Sequence, residues 1–428
     1  MNIYLGPTVP GWEPRTEEDI QRALIEGFLE ETHYLELKTQ LDSGKKANHE
    51  LARDLAQFAI DSGVIIFGIH ENDDNTLSLT PVVLKGLAER IEEVGRALAE
   101  PPLQVTCTPI ATVNDPSVGY LLVKIPSTGR APHMVDGVYY GRGDKTKHRL
   151  SNAQVLRLHD QQRMRREDAE ARLDLTISLD PIPEVDRKQA HVFLVATPNS
   201  HRSEMAIDFV RGFEAIEKVR SLVRKAMELS VAIAGPNSDG PLDLVSNVRS
   251  RHDGVACVSA EFGDGRTIDV QKRGFEYATE LEVSDSGELR IFSALFSRAS
   301  GNQDLNTPSE YQILDIFAPM LTRQILIMAE ELSHQTGFTG DWSLGFAATG
   351  IAGLAAEPSY SHYSETRYDV QKDFYKMTTV ASLEEIEQIP GRITRTLVGR
   401  LMRALDREAK YEGTYFQDPA TPNDSTGM

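Results

Sequence analysis

Three carboxylates and a lysine carry the chemistry this chain could perform near its N-terminal end. Glu31, Glu36 and Lys38 lie in the run Glu31-Thr-His-Tyr-Leu-Glu36-Leu-Lys38, and Glu71 closes Gly68-Ile69-His70-Glu71. Residues 33–39 alternate as a strand does, which puts Tyr34, Glu36 and Lys38 on one face and Leu35 and Leu37 on the other. Such a Glu–Lys pair can share a metal-bound water, the acid holding the cation while the ammonium opposes charge developing on a phosphate. Glu31 is expected at the end of a preceding helix, where a bend at 32–33 swings it toward Glu36. Glu71 ends an apolar strand, the place where sheet-borne sites commonly open. Carboxylates from a helix end, a strand and a strand end suit Mg²⁺ or Mn²⁺, which take oxygen ligands. The same spacing equally describes solvated surface acids beside an exposed Glu–Lys pair.

A second group follows. It begins at Lys124-Ile-Pro-Ser-Thr-Gly-Arg130-Ala-Pro-His133 and continues through Asp136-Gly-Val-Tyr139-Tyr140-Gly-Arg142-Gly-Asp-Lys145-Thr-Lys147-His148-Arg149. Glycines beside arginine and tyrosine let backbone amides approach a phosphate, while the rings offer stacking surfaces for unpaired bases. Lys145, Lys147 and Arg149 are spaced to follow a nucleic-acid backbone. A solvated hairpin with a basic tip has the same composition. The histidines His70, His133 and His148 read as polar, hydrogen-bonding residues rather than ligands.

The elements that must position these groups are legible from periodicity. A helix is predicted over Thr16–Glu31, a second over Asn48–Ile60 with Leu51, Leu55, Phe58 and Ala59 inward, and a buried strand over Val64–Ile69. A helix near 84–99, strands near 103–112 and 119–125, a hairpin over 134–142 and a long helix from Ser151 to about Arg172 follow. Beyond Leu173 a second α+β region is expected. It has a strand over His191–Ala196, helical stretches at 204–229, 308–336 and 383–408, and a hairpin turning at Ser-Asp-Ser-Gly. Met320 and Met328 fit a core or dimer helix, Cys107 fits a buried and inert strand position, and the tail from Glu412 is expected to be disordered.

Composition bounds the rest. The chain has 428 residues and a net charge of −19, with 40% apolar and 25% charged residues, an ordinary globular balance. Over the whole chain, −19 disfavours nucleic acid as a partner. Split at residue 165, however, the first part is net −5 and the second net −14, while residues 124–165 are net +6. Two cysteines, Cys107 and Cys257, cannot build a four-cysteine zinc site or a disulfide framework, so no zinc is expected. No run reaches the roughly 18 apolar residues of a membrane span, and the first residues lack an export pattern, which gives a cytoplasmic expectation. Neither GxSxG nor HExxH occurs.

Taken in order, the motifs resemble the Schlafen AlbA-2 domain. They are Glu31-x4-Glu36-x-Lys38, Phe58-Ala59, a glycine before a strand ending Gly68-Ile69, Arg130-x-Pro132-His133 and Tyr139-Tyr140-x-Arg142-Gly143. The resemblance spans about residues 15–165. It implies a mixed sheet with flanking helices, and an endoribonuclease cleaving structured RNA such as transfer RNA, in stress or phage defence. Glu31, Glu36 and Glu71 fall on the family's three metal-holding acids, with Glu at 71 where Asp is usual. The chain departs from the pattern at the Phe-Ala-Asn turn, which here reads Phe58-Ala59-Ile60-Asp61-Ser62-Gly63, and at the late motif, which ends Gly143-Asp144. The zinc set of animal relatives and the phosphate loop of long relatives are both absent. Many microbial members are described simply as DNA-binding or regulatory modules.

The expectation is therefore α+β. An N-terminal arm (1–14) precedes a Schlafen AlbA-2-like domain (15–165), followed by an α+β accessory domain (166–411) for sensing, dimerisation or substrate positioning, and a tail (412–428). Glu31, Glu36 and Glu71 would hold Mg²⁺ or Mn²⁺, with Lys38 completing the catalytic set. Arg130, His133, Tyr139, Tyr140, Arg142, Lys145, Lys147 and Arg149 would seat RNA or DNA. A homodimer would supply the cleft that two-lobed relatives form, and no membrane is involved. The alternatives are a non-catalytic DNA- or RNA-binding module of a regulator or defence complex, and a protein-binding scaffold.

Overall fold

Gly27, at φ +74°, ends the first helix early and thereby changes how the candidate acids are presented. Helix α1 (Glu17–Ile25) starts at a reciprocal Thr16–Asp19 capping box. It stops several residues short of the predicted end at Glu31. Glu31 is not a helix terminus; it stands in irregular chain before strand β1 (Leu35–Lys38). The computed structural model describes residues 3, 5, 9, 11–74, 76–127, 131–143, 146–199, 204–235, 239–299, 311–358 and 366–419.

The chain divides into two compact units, Met1–Met164 with Ser333–Asp341, and Arg165–Leu332 with Trp342–Met428. In the first, β1 lies parallel to β2 (Gly63–Phe67) across helix α2 (Lys45–Phe58), with Glu36 beside Ile65 and Lys38 beside Phe67. The sheet is completed by β5 (Val82–Val83), β6 (Thr106–Ala111) and β7 (Val118–Ile125), in the order β1-β2-β7-β5 with β6 also on β7. Strand β1 is therefore an edge. After Gly68 (φ +103°) the chain leaves this sheet to form a separate ribbon of β3 (Ile69–Glu71) and β4 (Leu77–Leu79). A three-stranded sheet of β8 (Met134–Val135), β9 (Val138–Arg142) and β10 (Lys147–Arg149) follows helix α3 (Leu87–Leu98) and the sheet strands. Helix α4 (Asn152–Ser178) then carries the chain into the second unit.

Alternation along the strands sorts the side chains into two cores. Leu35, Val64, Ile66, Tyr120 and Leu122 pack with Ile3, Trp12 and the α1 residues Ile20 and Ala23. Ile65, Phe67, Leu121, Val123 and Ile125 pack on the other face with Leu51, Leu55 and Phe58 of α2 and with Ile91 and Val94 of α3. The inward stripe predicted for α2 is the one observed. Met320 and Met328 are buried core residues of the second unit. Cys107 is half-buried rather than buried, and desolvation pushes its thiol up to about 12, which leaves it unreactive near neutral pH.

The second unit is built on a seven-stranded sheet. Its strands are β11 (His191–Pro198), β12 (Asn247–Arg251), β13 (Gly254–Val258), β14 (Thr279–Ser284) and β15 (Leu289–Ser293), followed by β18 (Asp341–Thr349) and β20 (Phe374–Ser382). They run in the order β12-β13-β14-β15-β11-β18-β20. Strands β16 (Ser297–Ala299), β17 (Tyr311–Ile313) and β19 (Ala355–Ala356) form a small sheet of their own. Helices α5 (Ile207–Val210), α6 (Ala215–Ala234) and α7 (Phe317–Thr336) precede α8 (Leu383–Gln388) and α9 (Pro390–Ala404). The helix predicted over 383–408 is thus two, broken at Pro390, which has no N–H to continue the ladder. The disordered tail expected from Glu412 is corrected for 412–419, because Tyr415 and Phe416 are buried; residues 420–428 lie outside the described residues. Among the described residues no helix is long and apolar enough to cross a membrane.

Strand β7 tolerates no side chain at Gly119, where a Cβ would stand 2.1 Å from the Ile110 carbonyl oxygen across the β6 ladder. Gly119→Ala should destabilise the first unit by at least about 2 kcal/mol, since the obstruction is backbone and cannot swing away. Urea unfolding checks this, and a wild-type midpoint would contradict the β6–β7 register.

Candidate functional site

An edge strand leaves N–H and C=O groups unpaired, and the residues that satisfy those of β1 are the ones sequence spacing singles out. The Leu37 N–H donates to Glu31 Oε1 at 3.1 Å. Arg142 of β9 reaches the same edge. Its Nη2 donates to the carbonyl oxygens of Thr32 (2.9 Å) and Leu35 (3.2 Å), and its Nε donates to Thr32 O at 3.2 Å. Its Nη1 lies 2.5 Å from Glu36 Oε2, and its guanidinium carbon stands 4.4 Å from the centre of the Phe58 ring. The Arg142 side chain is 3% exposed.

Glu36 and Lys38 share the α2-facing side of β1, as the alternation predicts, and they pair at 2.9 Å. Lys38 also lies 2.8 Å from Asp54 Oδ2, and Lys147 of β10 lies 2.9 Å from Asp54 Oδ1 while pairing with Glu50. Three acids (Glu36, Glu50, Asp54) thus face three bases (Lys38, Arg142, Lys147), a neutral set joining β1, α2 and the β9–β10 hairpin. Burial works against the Lys38 charge, yet Asp54 and Glu36 outweigh it and hold the ammonium well above its ordinary range. For Glu36 desolvation pushes up, but Lys38 and Arg142 bring the carboxyl below its usual value. Burial raises Asp54, with Lys38 and Lys147 opposing.

Asp54 and Glu50 are not among the residues singled out from the sequence. The signal was present: Asp54 falls on the inward stripe of α2 between Leu51 and Leu55, where an acid needs a partner. His33 is the other omission. Its Nδ1 lies 3.2 Å from the Gly143 carbonyl oxygen and its Nε2 lies 3.0 Å from Asp61 Oδ2, so both ring nitrogens face acceptors. Both are satisfied only by the imidazolium, and the Asp61 hydrogen bond, opposed by burial, raises the His33 pKa.

The third acid is elsewhere. Glu71 pairs across the ribbon with Leu77, and Ile69 pairs with Leu79; Ile69, Leu77 and Leu79 all belong to the α1-side core. Glu71 shares that side by alternation and is exposed, whereas Glu36 faces α2. Among the described residues, Glu31, Glu36 and Glu71 do not form a group whose ligand atoms lie within 4.8 Å of one another. The reason is Gly68, whose left-handed backbone takes β3 out of the sheet. As arranged, the three do not fit one shared Mg²⁺ or Mn²⁺. Both Glu36 oxygens are held by cations, and one Glu31 oxygen serves the strand edge.

The nucleic-acid strip is likewise redistributed. His133 is fully buried, with Nδ1 2.6 Å from Pro101 O, and Tyr140 is buried beneath Arg53 at 5.6 Å. Arg142 is a buried strut. These three are corrected from surface contacts to internal ones: β9 lies against α2 and turns Tyr140 and Arg142 inward, while His133, ahead of β8, is held at the Pro101 carbonyl. Tyr139 is half-buried, Arg149 is exposed, and the Arg149 guanidinium makes no hydrogen bond or ion pair among the described residues. Lys147 is one-third exposed above Glu50 and Asp54. Arg130 and Lys145 lie outside the described residues.

Residues 31–151 match the family model described as Schlafen, AlbA_2. These residues are a Schlafen AlbA_2 domain. No curated protein and no solved structure matches the chain. The match runs from Glu31, which caps the β1 edge, to Ser151, which precedes α4, and so takes in the whole neutral ion-pair set. Membership associates the domain with nucleic acid.

Two outcomes follow from the geometry of the Schlafen AlbA_2 domain. Asp54→Ala removes the buried carboxylate that Lys38 and Lys147 share, leaving them only Glu36 and Glu50, and should destabilise the domain by about 2–4 kcal/mol, less than a fully dry pair because both lysines keep some water. Chemical denaturation reads it, and a loss under about 0.5 kcal/mol would show that the set is a surface feature. His33, with its pKa raised from 6.5, adds stability that is complete below about pH 6.5 and disappears as pH climbs through the raised value. The stability gap between wild type and His33→Asn should therefore shrink from pH 6 to pH 8.5. A gap that widens would refute the charged His33–Asp61 pair.

Proposed function

We propose that the Schlafen AlbA_2 domain binds RNA or DNA without cutting it, the β9–β10 hairpin and the first turns of α2 forming the contact. The observation that carries this reading is the closure of Glu36 between Lys38 and Arg142, with Glu71 in the separate β3–β4 ribbon and, among the described residues, outside any shared ligand group. An acid so committed supports the fold and offers no open ligand position. The exposed cations supply the binding. Arg149 ends β10, and Lys46 stands exposed one helical turn before Glu50 on the face of α2 that Lys147 crosses. Tyr139 adds a half-buried ring against which an unpaired base can stack. A transfer RNA, with folded backbone and unpaired loops, suits this mix better than a plain duplex.

Fluorescence anisotropy with a labelled transfer RNA, repeated across salt concentrations, tests the proposal. Affinity should fall steeply with salt, and Lys46→Ala with Arg149→Ala should weaken binding and reduce the log–log slope by about two. Absence of binding at low salt would favour a protein-binding scaffold. The endoribonuclease reading is tested in the same tube with Mn²⁺. Transfer RNA cleavage that Glu36→Gln abolishes without shifting the melting temperature would overturn the non-cutting reading and put Glu36 in a metal site that opens on binding.

A further inference from the structure

In the second unit, a buried Asp–His pair opens on a small pocket. His191, at the start of β11, is 2% exposed, and its Nδ1 lies 2.7 Å from Asp180 Oδ2. Asp180 is itself anchored, with Oδ1 accepting from the Ile182 N–H at 2.9 Å and Oδ2 lying 3.1 Å from Arg187 Nε. Arg187 supplies a counter-charge to the Asp180 carboxylate. His191 lines a cavity of about 190 Å³ together with Lys188, Gln189, Phe275, Glu276 and Tyr311.

The lining specifies what could occupy it. Phe275 and Tyr311 contribute aromatic rings, which favour a flat ligand. The Glu276 carboxylate and the Lys188 ammonium have no hydrogen bond or ion pair among the described residues, although both stand at the pocket. Glu276 is held at its backbone. Once the Gln189 amide is turned to satisfy its neighbours, its nitrogen donates to the carbonyl oxygens of Ala294 (3.1 Å) and Glu276 (3.2 Å). The pocket therefore offers the two carboxylate oxygens of Glu276 and one cation at the exposed end, beside the Asp180-anchored imidazole of His191. A flat ligand with adjacent N–H donors and an anionic substituent is complementary to that set. Guanine presents an N1–H and an N2 amino group along one edge. Adenine pairs a donor with an acceptor there, which would face the carboxylate unfavourably.

We propose that this pocket binds a guanine nucleoside monophosphate, its base edge on Glu276 and His191 and its phosphate on Lys188 at the mouth. The volume accommodates the base, and the exposed position of Lys188 leaves the ribose and phosphate outside. The same chemistry could be presented by a free mononucleotide or by a guanine at the end of an RNA strand.

Isothermal titration of the full chain with guanosine 5′-monophosphate tests the proposal, with adenosine 5′-monophosphate, guanosine and a short RNA ending in guanosine as further arms. Guanosine monophosphate should bind at least about tenfold more tightly than its adenine counterpart. Glu276→Gln should weaken it by about tenfold, and Lys188→Met should reduce the monophosphate to the affinity of guanosine. Both positions are at the pocket rim, so melting temperatures should hold. Tighter binding of the RNA than of the mononucleotide would assign the site to a strand terminus. No saturable heat at about 1 mM, equal affinity for both bases, or wild-type binding by both variants would each overturn the proposal. None of these outcomes depends on whether the first unit binds nucleic acid.

Discussion

Asp54 places a carboxylate that is 1% exposed against two ammonium groups at 2.8 and 2.9 Å, and the layout of the first unit follows from keeping it there. An isolated charge in that position would be costly, so each neighbour has a reason to be present. Lys38 must stand on the α2 side of β1, which fixes Glu36 beside it. Lys147 must reach down from β10, which fixes the hairpin over α2. Arg142, opposite Lys147 in the β9–β10 register, then falls over the free edge of β1 and satisfies the carbonyls of Leu35 and of Thr32 just before the strand. One buried acid thereby joins an edge strand, a helix and a hairpin that are far apart in sequence.

This arrangement changes what the motif acids can be said to do. A glutamate and a lysine two apart on a strand are the same two residues whether they flank a metal or a guanidinium. What decides between these roles is the third partner. Arg142 arrives from more than a hundred residues away and takes the second Glu36 oxygen. The strip read as a phosphate track is used in part to balance acids inside the domain, so its surface charge is smaller than its composition suggests. Net charge behaves likewise at larger scale: the −19 of the chain averages a second half that holds most of the acid excess and a first half whose basic stretch is partly consumed.

Most elements of the first unit were legible because burial imposes period on them. Leu51, Leu55 and Phe58 repeat as a helix face, Leu35 and Leu37 alternate as a strand does, and the Val64–Phe67 run is apolar because both faces of β2 are covered. The errors cluster where a single backbone torsion overrides the pattern. Gly27 ends α1 before Glu31, and Gly68 sends β3 out of the sheet and Glu71 with it into a separate ribbon. Neither glycine announces its φ from the sequence, since glycine is equally at home on both sides of zero. The burial of His133 and Tyr140 was hidden for a different reason: it depends on the Pro101 segment for His133 and on β9 packing against α2 for Tyr140, contacts between segments that periodicity treats independently.

Asp54 shows what a sequence reading can recover beyond periodicity. An acid on the inward stripe of an amphipathic helix demands a cation, and once β1 and β2 are paired in parallel only a few lysines and arginines can be brought to it. Lys38 is among them, because a parallel β1–β2 pair joined by α2 must lay that helix across the strand face carrying residues 36 and 38. Given that parallel pairing, the contact of Lys38 with Asp54 was deducible, and with it the conclusion that the motif lysine has a structural partner. Lys147 and Arg142 were not, since their placement requires the hairpin register and its docking on α2. The boundary between the two cases is the boundary between contacts fixed by one βαβ connection and contacts fixed by the packing of a separate sheet.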